Sequence, residues 1–102
     1  MDQHVGRGGS ARRLRAQGMR RLRLLRSMPV AALRKLPEPR ETLAIDGRAA
    51  LLSAAITPLD DGGVRVLVRG SLAARFVPLA LDGFAAGFRK TADGRVLPLS
   101  GE

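Results

Sequence analysis

From residue 64 the chain alternates: Val64, Val66 and Val68 take every second position, and Arg65, Leu67 and Arg69 stand between them. A period of two is that of an extended segment with one buried face, so residues 64–70 are expected as a strand. Residues 11–27 keep a different rhythm. At about 100° per residue, Ala11, Leu14, Gly18, Leu22, Leu25 and Met28 fall on one stripe, while Arg12, Arg13, Arg20, Arg23 and Arg26 cover much of the opposite side. Arg21 interrupts the stripe. The segment is rich in Leu, Arg, Ala and Met, all good helix formers, and Ser10 stands where an N-cap would. Pro29 disfavours helical backbone at Met28, which ends this helix, and itself suits the first turn of a second one over 30–35. Pro37-Glu38-Pro39 then stops the chain in a stiff linker.

Beyond residue 41 the punctuation is Asp-Gly: Asp46-Gly47, Asp61-Gly62, Asp82-Gly83 and Asp93-Gly94. Such pairs supply the positive φ of tight hairpin turns, and four of them among short apolar runs predict an antiparallel meander. The runs between are 42–45, 48–59, 64–70, 75–81, 84–90 and 95–99. Pro78 and Pro98 each remove a ladder donor, which assigns their segments to a sheet edge or a bulge. Residues 48–57 carry Ala49, Ala50, Ala54 and Ala55, whose propensity favours helix, with only Ile56 and Thr57 adding β-branched character. Ser71 could cap a single turn, and 83–87 reads as strand or loop. The expected fold is therefore mainly β: a rolled sheet or open barrel of about five strands, preceded by an Arg-rich helix. The alternative is α+β with a helix at 48–57.

Charge divides the chain in the same place. Residues 1–40 hold eleven Lys and Arg against two acids, and residues 41–102 hold seven against seven. This predicts a basic arm over 1–40, with a disordered Gly-rich start, and a neutral β domain over 41–102. About 60 residues bury only about 60% of their unfolded surface, so a protein partner or a second copy in a homodimer is expected to add stability. The cooperative core should then lie after the linker, around Phe76, Phe84, Phe88 and the alternating valines, and loss of residues 1–27 should leave it intact. Absence of cysteine fits a reducing, cytoplasmic setting. The longest uncharged run, 49–59, has eleven residues, too few for a membrane-spanning helix, which needs about 20.

Catalytic chemistry finds no footing. The single histidine, His4, lies in the Gly-rich start, there is no thiol, and five of the seven domain acids are turn aspartates. Neither a calcium loop, nor a phosphate-cradling Gly-rich loop, nor any metal or cofactor motif is present, so no enzyme and no cofactor is expected. Base-stacking platforms need exposed aromatics, and three Phe in a chain without Tyr or Trp are core candidates instead. What remains is guanidinium. Arg12, Arg13, Arg15, Arg20, Arg21, Arg23 and Arg26 form the candidate nucleic-acid-binding set, which would act through phosphates and counterion release. Arg65, Arg69, Arg89, Lys90 and Arg95 form a second candidate basic surface. The same arm residues suit an anionic membrane surface. They equally suit an incidental leader ahead of a structural or protein-interaction domain, with Met19 or Met28 as first residue.

Overall fold

The computed structural model describes residues 2–73 and 80–99, with side chains for 9–72 and 83–99. Two helices, α1 (Asp2–Arg26) and α2 (Val30–Lys35), precede five strands: β1 (Arg40–Ile45), β2 (Arg48–Pro58), β3 (Val64–Ala73), β4 (Ala80–Lys90) and β5 (Val96–Pro98). The strands form one open antiparallel sheet in sequence order, β1-β2-β3-β4-β5. This is the mainly β meander that the turn spacing predicts, with α1 lying on one face and the other face without a covering element among the described residues.

The alternation at Val64, Val66 and Val68 puts all three on the helix side, fully buried. Register extends that side across the sheet: Ala54 and Ala86 flank Val68, Ile56 and Phe88 flank Val66, and Leu52 and Phe84 flank Gly70. Residues 48–57 are therefore strand, not helix. Ala50, Leu52 and Ala54 are buried at every second position, and pairing on both sides outweighs the modest helix preference of alanine.

Helix α1 belongs to the core, which is not confined to residues after the linker. Leu22, Leu25 and Leu33 pack with Val64, Val66, Val68 and Phe88, while Leu14 joins Ile45, Ala50, Leu52 and Leu72. The apolar stripe is the cause: one sheet face of Val, Ala and Phe side chains needs a lid, and the leucines of α1 supply it. Close approach is set by two glycines. A Cβ on Gly18 would lie 2.3 Å from Phe84 Cε2, and one on Gly70 would lie 3.1 Å from Leu14 Cδ1. The helix also starts earlier than the Gly-rich composition predicts. Once the docked turns are formed, each preceding residue adds a hydrogen bond without a new nucleation cost, and α1 runs from Asp2 rather than from a cap at Ser10.

The Asp-Gly pairs divide into three kinds. Asp46 and Gly47 both take positive φ, 52° and 77°, in the two-residue turn between Ile45 and Arg48. Asp61-Gly62 and Asp93-Gly94 each close a three-residue loop. In both, the first flanking residue donates to the carbonyl four residues on, at 2.9 Å for Leu59 to Gly63 and 2.8 Å for Thr91 to Arg95, and the glycine is left-handed. Asp82-Gly83 is no turn. It lies inside β4, paired with Leu72 and Ser71. Residues 74–79, Arg75, Phe76 and Pro78 among them, lie outside the described ones. Ser71 and residues 83–87 are strand, and Pro98 stands in the edge strand β5, as its missing donor requires.

Candidate functional site

The arginines of α1 separate by what they face. Two reach the first hairpin: Arg13 pairs with Asp46 and Arg21 with Glu41. The Ser10 hydroxyl donates to the other Asp46 oxygen at 2.6 Å. Arg21, which breaks the apolar stripe in sequence, is thus the residue that ties the helix flank to β1. The other five, Arg12, Arg15, Arg20, Arg23 and Arg26, are exposed, and among the described residues none has a carboxylate partner. Arg12 and Arg15, with Ala11 and Met19, line a cleft whose opposite wall is Gly83, Phe84, Ala85 and Ala86 of β4. From Arg12 to Arg26 the row extends about 21 Å at the usual helical rise.

Of the second predicted basic set, the structure brings three residues onto one face. Arg65, Arg69 and Arg89 alternate with the buried valines and Phe88 and share the uncovered sheet face; Arg65 and Arg89 stand directly opposite one another. Arg40, at the start of β1, lies on the same face by register, which the charge pattern alone did not single out. Arg95 sits exposed in the β4–β5 loop. Lys90 does not belong to this surface. It is 8% exposed, on the helix side of β4, and its Nζ donates to the carbonyls of Arg26 and Met28, 2.8 Å from each. A cation there offsets the negative end of the helix dipole and satisfies carbonyls that the end of α1 leaves open. The signal was present in the sequence: Ala86, Phe88 and Lys90 share a parity, which places Lys90 with the core-facing residues.

Arg34, on α2, plays a similar anchoring part, donating to the carbonyls of Leu59 (3.0 Å) and Gly63 (2.6 Å) across the β2–β3 loop. The turn aspartates hold turns. Asp61 accepts from the Gly63 amide at 2.9 Å, and Asp93 accepts from the Thr91 hydroxyl. That hydroxyl is the chief cause holding the Asp93 carboxyl below its ordinary pKa. Among the described residues no group of three or more His, Cys, Asp or Glu could hold a metal ion, and no helix is long and apolar enough to cross a membrane.

The described site therefore offers positive charge, donor groups and shape. Compared with protein-family models, with curated proteins and with solved structures, the chain matches none.

Proposed function

We propose that this protein is a non-enzymatic binding module, cytoplasmic in setting, that contacts the phosphates of RNA or DNA through the solvent side of α1. The observation that carries the reading is the division of the arm's arginines. Arg13 and Arg21 are neutralised by Asp46 and Glu41, whereas Arg12, Arg15, Arg20, Arg23 and Arg26 project from a helix whose other face is locked into the core. A docked helix holds the backbone under these arginines fixed, so no backbone must be ordered on binding. Guanidinium is also the side chain suited to bidentate phosphate contact. Affinity should follow charge rather than sequence.

Titration of the full chain with mixed-sequence RNA and DNA across salt concentrations tests this. The expected result is a linear fall of log K with log salt, about 0.9 per phosphate contact on duplex DNA. Arg12→Gln, Arg20→Gln, Arg23→Gln and Arg26→Gln together should flatten that slope by about three to four, while Arg13→Gln or Arg21→Gln should leave it nearly unchanged. No binding at about 50 mM salt would end the proposal. Tighter binding to anionic vesicles than to either nucleic acid would transfer it to a membrane surface.

A further inference from the structure

Sheet register collects a second set of arginines on the face turned away from α1. Arg40 of β1 and Arg69 of β3 both stand opposite Ser53 of β2, one on each side, and Arg65 of β3 stands opposite Arg89 of β4. Ser53, Arg65, Arg69 and Arg89 each follow a buried core residue (Leu52, Val64, Val68 and Phe88), so their side chains leave the sheet on the side that no described element covers. Arg40, Arg69 and Arg89 are exposed, and among the described residues none of the three has a carboxylate partner. Arg65 is half-buried beside them. The paired strand positions that share this face hold no Asp or Glu. Glu38, ahead of β1, lines a cleft with Arg40 and Arg69 and reduces the local surplus of charge without cancelling it.

Two strand spacings, about 10 Å, separate the backbones of Arg40 and Arg69, and four residues of strand rise, about 13 Å, separate Arg65 from Arg69. From Arg40 to Arg89 the set spans about 20 Å, close to the length of the row on α1. A duplex carries one charge for about every 1.7 Å of axis, so each surface covers a length presenting about a dozen phosphates. Between the arginines lie Ser53, Ala55, Ala85, Gly87 and the half-buried Leu67, all shorter than arginine. Guanidinium groups are therefore the first atoms that a polyanion meets here. The two surfaces lie on opposite sides of a helix-on-sheet body whose shorter dimensions are 24 and 23 Å. With a Debye length of about 10 Å at 0.1 M salt, polyanions held on the two sides are screened from each other while each stays in contact with its own arginines.

We infer that the protein bridges two nucleic-acid segments, one held on α1 and the other on the opposite sheet face by Arg40, Arg69 and Arg89, with Arg65 adding to the local field. The inference rests on the phosphate-binding reading of α1 and adds a second contact surface to it. Charge and spread select the occupant. Arginines distributed over about 20 Å match an extended polyanion better than a compact phosphate ligand, which would need them to converge. A second copy of the chain would set one basic surface against another, which repels.

The test is a capture assay with the full chain, a mixed-sequence duplex fixed to beads and a second, labelled duplex in solution, run in parallel with DNA and with RNA. Capture of the labelled duplex should rise with protein and fall again at excess protein, when each duplex is coated separately. Arg40→Gln, Arg69→Gln and Arg89→Gln together should lower capture at least about tenfold, while affinity for a single duplex changes by no more than about twofold. Lys at the same three positions should restore capture. Should the glutamine variant fail to fold, the wild-type spectrum decides: amides of Ser53, Arg69 and Ala85 should shift on addition of duplex beyond the amount that saturates α1. Binding of a single duplex without capture of a second overturns the inference and leaves the α1 reading standing, whereas no binding of any duplex removes both. Capture that persists in the folded glutamine variant, or that never falls at excess protein, assigns bridging to self-association and overturns the inference. So does a sheet face whose amides respond to polyglutamate but not to the second duplex, which would give that face to an acidic protein.

Discussion

At the β1 edge α1 meets carboxylates, Asp46 under Arg13 and Glu41 under Arg21; on the β4 side it meets uncharged residues, with Gly18 against Phe84 and Arg12 and Arg15 overhanging Gly83, Ala85 and Ala86. The same helix is therefore charge-matched on one flank and charge-bare on the other, among the described side chains. Exposed ion pairs contribute about 0–1 kcal/mol, whereas burying one leucine contributes about 1.5–3 kcal/mol, so docking rests on the apolar stripe common to both flanks. The arginines on the β4 flank are then dispensable for folding. The proposed phosphate contacts use them.

Removal of residues 1–27 breaks this picture most severely. It strips Leu14, Leu22 and Leu25, each nearly fully buried, from above the sheet. Truncating a buried leucine to alanine costs about 2.7–5 kcal/mol, and losing three exceeds much of the 5–15 kcal/mol that holds a typical domain. The shortened chain should show no cooperative melting by circular dichroism and poor amide dispersion. A melting temperature equal to that of the full chain would return the core to residues 41–102 and free the arm.

Gly18→Val probes the β4 flank alone. The new side chain would drive into the Phe84 ring, and overpacking of this kind costs about 1–3 kcal/mol in urea unfolding. Its counterpart on the β1 flank, Arg21→Gln, should cost no more than about 1 kcal/mol. Equal losses from the two would mean that ion pairs, not packing, dock the helix.

How much of this was legible in the chain follows from the range of each signal. Periodicity is local, so the strand at Val64, Val66 and Val68 and the stripe from Leu14 to Leu25 were readable, as was the short second helix after Pro29. Docking is not local. Nothing near residue 14 in sequence says that Leu14 will sit above Gly70, and charge asymmetry suggested a separate arm because it records composition rather than packing. Alanine left 49–55 open between strand and helix, and sheet pairing on both sides decides for strand. Asp82-Gly83 misled because a turn dipeptide specifies a permitted φ, not the flanking register. Arginine positions were legible, yet which of them are neutralised depended on Asp46 and Glu41, more than 19 residues away in each case.

Lys90→Met asks whether a buried cation on the β4 side holds the end of α1. Methionine keeps the stem packed and removes the two bonds to Arg26 and Met28. Those carbonyls lie at a helix end where water can partly replace the ammonium, so a loss of about 1–2 kcal/mol is expected. Faster amide exchange through the last turn of α1, with Val66 unchanged, would locate the effect. A silent substitution would mean that water serves the helix end as well as Lys90 does.

The smallest expected effect contrasts the turn aspartates of the two edges. Asp46 accepts from Ser10 and pairs with Arg13, so Asp46→Asn weakens contacts between the turn and α1 and should cost about 0.5–1 kcal/mol. Asp93 accepts from Thr91 within its own loop, and Asn preserves both that acceptor and the turn geometry, so Asp93→Asn should be nearly silent at neutral pH. Acid should reveal what remains. Because the Thr91 hydroxyl lowers the Asp93 pKa from 3.8, the folded state favours the carboxylate, and its contribution is in full force above the ordinary value. It is lost as pH falls through the lower folded value. Unfolding midpoints of wild type and Asp93→Asn should therefore coincide from pH 7 to about 5 and differ, slightly, only below about pH 4. A separation already present at pH 7 would mean that the Asp93 charge acts on something beyond its own turn.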